Sequence, residues 1–375
     1  MLNHSAEEDF LTEDANMTLN KTWTVASACT GLASCLPFIT VEVSLLVATI
    51  VGNSLFIAAF AKFKELRGPT NYILMSLSIA DLVTGLVGMS IHIVTVYFVD
   101  NLPGLRHLAS EKYFCLFKTA TGSGLILISL FHQTLIAFDR YFKICRHVQH
   151  VKLFTKKRLT SAIVFTWLYG VALSIPPLFG WNDWSPDKEC KGNIINPTHM
   201  RFLVTPHLPI CLLITLGCYC AIFRRVRHQR QNMKKYATSP SPNPVNSIQM
   251  NMPGTSTAQT ENQTKQEREE FRGGKVLSVK PEESNSKGSL DEMQVKVAKM
   301  TAMIVGTFTL LFIPYTLLLA FDRYIVNNRV TFHIIFNISI ELVMLSSVTN
   351  PLIYGILNKR VRKYMIGVCQ CKPVE

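Results

Sequence analysis

The chain has 375 residues, of which 48% are apolar and only 17% charged, and its mean hydropathy is positive at +0.23. A water-soluble protein carries nearer to about a quarter charged residues, and a polar stretch near residues 226–293 dilutes the average, so the remainder is more apolar still. This excludes a disordered chain, a disulfide-knit secreted mini-protein and an ordinary cytosolic enzyme. The net charge of +13 would suggest nucleic acid in a soluble protein, but its placement suggests the inner surface of a membrane instead and no nucleic-acid partner.

Residues 1–36 are acidic early, with Glu7, Glu8, Asp9, Glu13 and Asp14. They lack a basic-then-apolar start, so no cleaved signal peptide is expected and the first span acts as the insertion signal. Asn3-His-Ser5, Asn16-Met-Thr18 and Asn20-Lys-Thr22 are glycan acceptor triplets on Asn3, Asn16 and Asn20. The same triplet at Asn262 falls on the inner side and is read as chance.

Seven apolar windows follow, at Val43–Ala61, Tyr72–Val99, Thr119–Ala137, Leu159–Gly180, Phe202–Phe223, Met300–Phe321 and Ile334–Leu357. Each reaches the roughly 20 residues that carry a helix across a hydrocarbon core. Continuous apolar runs of this length are helices, because barrel strands are about ten residues long and alternate. The expected fold is an all-α membrane protein, a seven-transmembrane helix bundle. Residues 37–225 carry spans one to five, 226–293 a disordered inner loop, 294–357 spans six and seven, and 358–375 a short amphipathic eighth helix and tail.

Of the 38 Lys and Arg, 29 lie in the segments after spans one, three, five and seven. Basic loops stay in the cytoplasm, which puts the N-terminus outside and the C-terminus inside. The inner loop at 226–293 is too polar to bury a core. Its ends, Arg224 to Lys235 and Lys296 with Lys299, are basic and suit a partner surface or anionic lipid.

The ten cysteines divide by side of the membrane. Cys115 opens span three and Cys190 lies in the outer loop after span four, so an oxidising exterior permits a bond between them; Cys29 and Cys35 are outside too and can also pair. Cys211, Cys218 and Cys220 lie in span five as packing residues. Cys369 and Cys371 follow the basic segment after span seven, a position that suits S-palmitoylation against the bilayer or two free thiols.

Polar residues within spans are costly and point to function. Asp81 is mid-span two, Asn53 mid-span one and Ser129 mid-span three, while Ser346, Ser347 and Asn350 lie in span seven. Facing inward, they would form one oxygen-rich layer, serving either a small cation such as Na⁺ or a network that only links helices. Asp139-Arg140-Tyr141 ends span three, 25 residues after Cys115, or about 37 Å along a helix. Pro314 and Pro351 each remove a backbone hydrogen bond in spans six and seven. There is no nucleophile–base pair, metal-ligand spacing or phosphate loop, so no enzyme is expected.

These residues, taken together, resemble rhodopsin-like G-protein-coupled receptors. Gly52-Asn53, Leu77-Ser-Ile-Ala-Asp81, Cys115, Asp139-Arg140-Tyr141, Trp167 and Asn350-Pro351-Leu-Ile-Tyr354 stand in family order and spacing. Within that family the chain is most similar to adenosine receptors, through Ile39-Thr-Val-Glu42, Thr70-Asn-Tyr72, Cys115-Leu-Phe117, Phe179-Gly-Trp181 and Leu216-Gly-Cys-Tyr219. The resemblance implies a plasma-membrane receptor for an extracellular small molecule. Its partners would be a heterotrimeric G protein and arrestin, with membrane lipid around it. It gives Asp139, Arg140, Tyr141, Tyr219, Asn350, Pro351 and Tyr354 roles in activation; Asn53, Asp81, Ser129, Ser346 and Asn350 stay the candidates for an allosteric Na⁺ site or a linking network.

The ligand pocket departs from the resemblance. Leu319 stands where adenosine receptors have an adenine-binding Asn, Lys191, Gly192 and Asn193 follow Cys190 in place of Phe and Glu, and Met344 and Val343 replace a His and a Ser. Losing directed donors removes most discrimination for adenine, so adenosine is not the expected ligand. Gly122 stands where amine receptors have an Asp, and Met344 where opsins have a retinal-binding Lys. Phe312 replaces the usual Trp, and Gln294 the acidic partner of the Arg, so appreciable basal signalling is expected. Glu42, His92, Lys118, Tyr315, Thr316 and Glu341 remain near the outer mouth, beside Phe312 and Met344, a mixed set that suits a small polar or zwitterionic ligand. The alternatives are a seven-span transporter or channel, which would need a continuous polar path around the lone mid-membrane charge of Asp81, and a non-signalling scaffold of receptor ancestry.

Overall fold

A computed structural model describes residues 32–99, 102–185, 198–238, 302–303, 306–319 and 329–370. Asn3, Asn16, Asn20, Cys29, Cys190 with the three residues after it, Gln294 and Cys371 lie outside the described residues, as does the side chain of Cys369. The described residues up to Arg225 and from residue 302 onward belong to one compact unit, and the described residues 226–238 to a second.

The described residues are helical almost throughout. The bundle comprises α1 (Leu32–Lys62), α2 (Pro69–Phe98), α3 (Lys112–Cys145), α4 (Lys156–Ser174), α5 (His207–Thr238), α6 (Gly306–Leu319) and α7 (Arg329–Leu357), followed by the short α8 (Lys359–Cys369). Five of these, α1, α2, α3, α5 and α7, contain stretches both long and apolar enough to cross a membrane. The remaining two expected spans are α4, whose first turn holds Lys156, Lys157 and Arg158, and the described part of α6.

Helix ends differ from the apolar windows where local chemistry overrides hydropathy. The fourth window was expected to run to Gly180. The α-helix stops at Ser174, because Pro176 and Pro177 cannot supply backbone N–H groups, and a 3₁₀ turn over Pro176–Phe179 closes on Gly180 at φ 108°. A left-handed residue there is tolerated because glycine has no Cβ. The fifth helix runs past 225 to Thr238, so the basic residues Arg224 to Lys235 continue it, and the boundary expected at residue 226 moves to a later position. In α2 the turns Thr84–Met89 and Val94–Phe98 are π-helical; wider turns of this kind rotate the residues beyond them and recur at functional sites.

The surface is inverted relative to a soluble protein. Leu168, Phe202, Leu213 and Leu310 are each more than 60% exposed, whereas Asn53, Asp81, Gln133 and Asp139 are at most 1% exposed. A lipid surround explains both, since apolar side chains face the tails and polar groups must find partners inside.

Two glycines set how closely helices approach. A Cβ on Gly52 would lie 2.8 Å from Pro351 Cγ, and one on Gly170 would lie 2.5 Å from Ile128 Cγ1. α1 therefore rests directly on the proline of α7, and α4 on α3. A second seam joins four helices through Leu130, Leu208, Cys211, Leu212, Phe308, Phe312, Tyr315 and Val343. α8 is capped by Asn358, whose side chain accepts from the N–H groups of Arg360 and Val361, and it docks through the fully buried Val361 and an Arg360–Glu65 ion pair at 2.8 Å.

Candidate functional site

Three polar layers stack along the bundle. The middle layer centres on Asp81, which has Ala80 and Leu77 before it on the buried face of α2. Ser347 Oγ donates to Asp81 Oδ1 at 2.8 Å, and Asn350 Nδ2 donates to Oδ2 at 2.8 Å. Gln133 Nε2 of α3 donates to Asn350 Oδ1 at 3.2 Å. Asn53 Nδ2 donates to the Ser347 carbonyl at 3.2 Å and to Thr49 O at 2.9 Å. The layer thus links α1, α2, α3 and α7, and every member is buried.

Of the five residues expected to hold a cation, Asn350 touches Asp81 directly and Asn53 is one bond further away. Ser129 is 6% exposed, within α3. Ser346 turns to its own helix, donating to Val343 O at 2.6 Å, and its neighbour Ser347 reaches the carboxylate instead. Sequence reasoning did not single out Gln133, although an amide on a helix face otherwise buried is the signal that would have found it. The oxygens Asn53 Oδ1 and Gln133 Oε1 are buried and accept no hydrogen bond. A carboxylate, hydroxyls and unsatisfied amide oxygens form a donor set of hard oxygens that fits Na⁺.

The inner layer is built on Asp139-Arg140-Tyr141. Asp139 Oδ1 accepts from Thr70 Oγ1 of α2 at 3.0 Å and from His150 Nε2 at 3.0 Å. His150 sits on a short helix, His147–Leu153, directly after α3, and sequence reasoning missed it because a histidine in a basic loop carries no pattern. Arg140 Nε lies 3.7 Å from Asp139 Oδ2, an ion pair without a hydrogen bond. Both side chains are buried, at 5% and 0% exposure. The hydroxyls of Tyr219 on α5 and Tyr354 on α7 are buried without hydrogen-bond partners; Tyr354 packs on Phe56 at 4.7 Å between ring centroids. Tyr141 is half-buried, its ring edge-on to Phe142. Pro351 is buried inside α7 against Gly52.

The outer layer divides the expected ligand-pocket residues into two groups. Glu42, His92 and Glu341 come together from α1, α2 and α7: His92 Nε2 lies 4.0 Å from Glu42 Oε1 and 3.9 Å from Glu341 Oε1. Tyr97 Oη donates to Glu42 Oε1, another contact the sequence did not reveal. Lys118 of α3 acts electrostatically on His92. The second group is aromatic. Phe312 stacks on Phe308 at 4.1 Å, Tyr315 packs against Phe336 at 5.9 Å, and Leu319 borders the same cluster. Thr316 Oγ1 donates to Phe312 O at 2.9 Å and so is spent on its own helix. Met344 is half-buried. Gly122 faces open space, with no atom within 4 Å of where a Cβ would be.

A further buried network ties α2, α3 and α4. Trp167 Nε1 donates to Ser76 Oγ at 3.0 Å, and Ser76 meets His132 Nε2 at 2.8 Å. His132 Nδ1 is 2.8 Å from the Ile128 carbonyl. That acceptor assigns the proton to Nδ1, leaving Nε2 to accept from Ser76.

Among the described residues Cys145, Cys211, Cys218 and Cys220 are free. Cys35 and Cys115 are each disulfide-bonded; Cys29 and Cys190 lie outside the described residues.

The sequence matches the family described as "7 transmembrane receptor (rhodopsin family)" over residues 52–354. It is 30% identical over 214 residues to a red-sensitive opsin of Psalidodon fasciatus, covering 54% of this chain and 56% of that protein. It is 25% identical over 348 residues to the probable G-protein coupled receptor No18 of Amphibalanus amphitrite, covering 88% of each. It is 23% identical over 340 residues to "Rhodopsin, GQ-coupled" of Mizuhopecten yessoensis, covering 87% of this chain and 59% of that protein. The chain spans about half the length of the red- and green-sensitive opsins it matches. A match that begins in α1 at Gly52 and ends in α7 at Tyr354, over a bundle with these polar layers, makes the chain a member of the rhodopsin family of seven-transmembrane receptors.

Proposed function

We propose that this receptor detects a small extracellular ligand and signals to a heterotrimeric G protein by population shift. The ligand favours a state in which the inner end of α6 moves outward and Arg140 is freed to receive the G protein. Arrestin is a second partner for the same cleft. The observation that carries this reading is the condition of the inner layer. Arg140 is buried with a long contact to Asp139, and the Tyr219 and Tyr354 hydroxyls are buried without partners. Buried polar groups left unpaired cost about 1–3 kcal/mol each. A rearrangement that lets them meet one another, or an entering peptide, recovers that cost, so this layer is poised between two arrangements.

Similarity to adenosine receptors lies in scaffold residues, and the pocket argues for a different ligand. The charged group of Glu42, His92, Lys118 and Glu341 and the aromatic group around Phe312 and Tyr315 suit a small polar or zwitterionic molecule. Met344, where opsins carry their retinal-binding Lys, argues against a covalent chromophore. Na⁺ at Asp81, with Ser347, Asn350 and Asn53 around it, would neutralise the carboxylate and favour the inactive state. The basic inner segments support a plasma-membrane protein with its N-terminus outside. That side would carry glycans on Asn3, Asn16 and Asn20 and a Cys115–Cys190 bond, with palmitoyl groups on Cys369 and Cys371 inside. The test is Arg140→Ala, which should abolish nucleotide exchange on the G protein at unchanged surface expression; undiminished exchange would refute the assignment.

A further inference from the structure

The charged group of the outer layer has an arrangement that ordinary ion pairing does not explain. Glu42 is 6% exposed, and its carboxylate has one oxygen bonded by Tyr97 and the other, Oε2, without a hydrogen-bond partner. Glu341 Oε2 is likewise buried and meets no N–H or hydroxyl donor; the Glu341 carboxyl's hydrogen-bond contact is with Glu42. His92 Nε2 lies 3.9–4.0 Å from an oxygen of each carboxylate, beyond hydrogen-bond distance to both. One ligand atom from each of the three residues lies within 4.8 Å of the others. Donors bound to a tetrahedral ion at about 2.0–2.1 Å are about 3.3 Å apart, so closure needs movements of roughly an ångström or less. Glu42 and Glu341 face each other within hydrogen-bond reach across one imidazole, so without an ion the pair is held by a shared proton, and a cation that displaces that proton gains both carboxylates as ligands.

We infer that Glu42, His92 and Glu341 form a binding site for one divalent transition-type cation, with Zn²⁺ the ion their chemistry suits. Two carboxylate oxygens and an imidazole nitrogen are a borderline N/O set; Ca²⁺ and Mg²⁺ favour oxygen alone. Three protein ligands leave a fourth position for water or a ligand group, the open form of a zinc site. Tyr97 donates to Glu42 Oε1, a contact that orients the carboxylate as an outer-shell partner does. The Lys118 ammonium opposes a cation, but two carboxylates outweigh it. The three residues lie on α1, α2 and α7, about 16 Å along the helices from the Asp81 layer (eleven residues on α1 and on α2). The ion therefore clamps three helices at the end of the bundle remote from Arg140, and it favours whichever receptor state holds them together.

The test is thermal unfolding of the full chain, purified in detergent and stripped with a chelator, against ZnCl₂, CaCl₂ and MgCl₂. Zn²⁺ should raise the midpoint, with Ca²⁺ and Mg²⁺ ineffective at the same concentration. His92→Asn and Glu341→Gln should each move the Zn²⁺ dependence to higher concentration by more than the roughly 10–100-fold that loss of an outer-shell partner costs. Midpoints in chelator near wild type show that the variants fold. If neither folds, Co²⁺ bound to the wild-type chain gives the second readout, a tetrahedral visible spectrum without the intense near-ultraviolet band of thiolate ligation. No Zn²⁺ response in the wild-type chain, an equal response in both variants, an equal response to Ca²⁺, or a thiolate band would each overturn the site. None of these readouts involves signalling, so this inference and the receptor reading fail independently.

Discussion

Gly52 offers a direct test of how tightly α1 and α7 are joined beside the polar layers. Gly52→Ala places a methyl group 2.8 Å from Pro351 Cγ and 3.3 Å from Pro351 Cβ. Ordinary carbon contacts are about 3.5–4.0 Å, so an overlap of roughly 0.7 Å must be relieved. Pro351 is buried in α7 and its ring is rigid. The helices must separate, stretching the 3.2 Å bond from Asn53 to Ser347 O. Overpacking of this kind costs about 1–3 kcal/mol, partly offset by the gain of about 1 kcal/mol from replacing glycine by alanine within a helix. Gly217 of α5 supplies the control, since a Cβ there meets no atom within 4 Å and only the helix term applies. The two identical substitutions should therefore differ by about 1–3 kcal/mol, Gly217→Ala being the more stable. The assay is thermal unfolding in one detergent, followed with a thiol-reactive dye that reports exposure of the buried Cys211 and Cys218. If Gly52→Ala proved as stable as Gly217→Ala, the close contact between α1 and α7 would be wrong.

The remaining predictions concern the polar layers and α8. Asp139→Asn removes the charge that holds Arg140 at 3.7 Å; for a pair worth about 1–2 kcal/mol, basal nucleotide exchange should rise roughly five- to thirtyfold above a wild-type level that is itself expected to exceed that of empty-vector cells, and an unchanged rate would contradict the reading. Ser347→Ala leaves Asp81 Oδ1 without its hydroxyl partner and should cost about 1–3 kcal/mol, whereas Ser346→Ala loses only a bond within its own helix; equal losses of unfolding midpoint would count against the assigned geometry. The Glu65 carboxyl is held below its usual range, first by a hydrogen bond to its own backbone and then by Arg360. A lowered folded-state value stabilises above the unfolded value and is lost as pH falls through the folded one. The Arg360–Glu65 tether should therefore hold at neutral pH and release only below the ordinary glutamate range. A spin-label distance between α8 and the loop after α1 should lengthen there, and a pH-independent distance would argue against the tether.

Much of this receptor is legible in one dimension. Long apolar windows announce membrane helices because the hydrocarbon core imposes both length and composition. Asp81, Asn53 and Asn350 stand out because a polar residue inside such a window needs a reason. Asp139-Arg140-Tyr141 is recognisable from its place at the end of the third span. The partners of these residues are not legible. Ser347 and Ser346 are adjacent on α7, and a rotation of about 100° per residue decides which one meets Asp81. His150 reaches Asp139 because a short helix folds back beneath α3, and Gln133 reaches Asn350 because α3 crosses the bundle at that depth. Glu42, His92 and Glu341 are separated by 50 and 249 residues in sequence, and only the packing of α1, α2 and α7 brings them within one ion's reach. Sequence determines which groups the membrane forces inward; helix rotation and crossing, set by contacts as small as a missing methyl at Gly52, decide which of them touch.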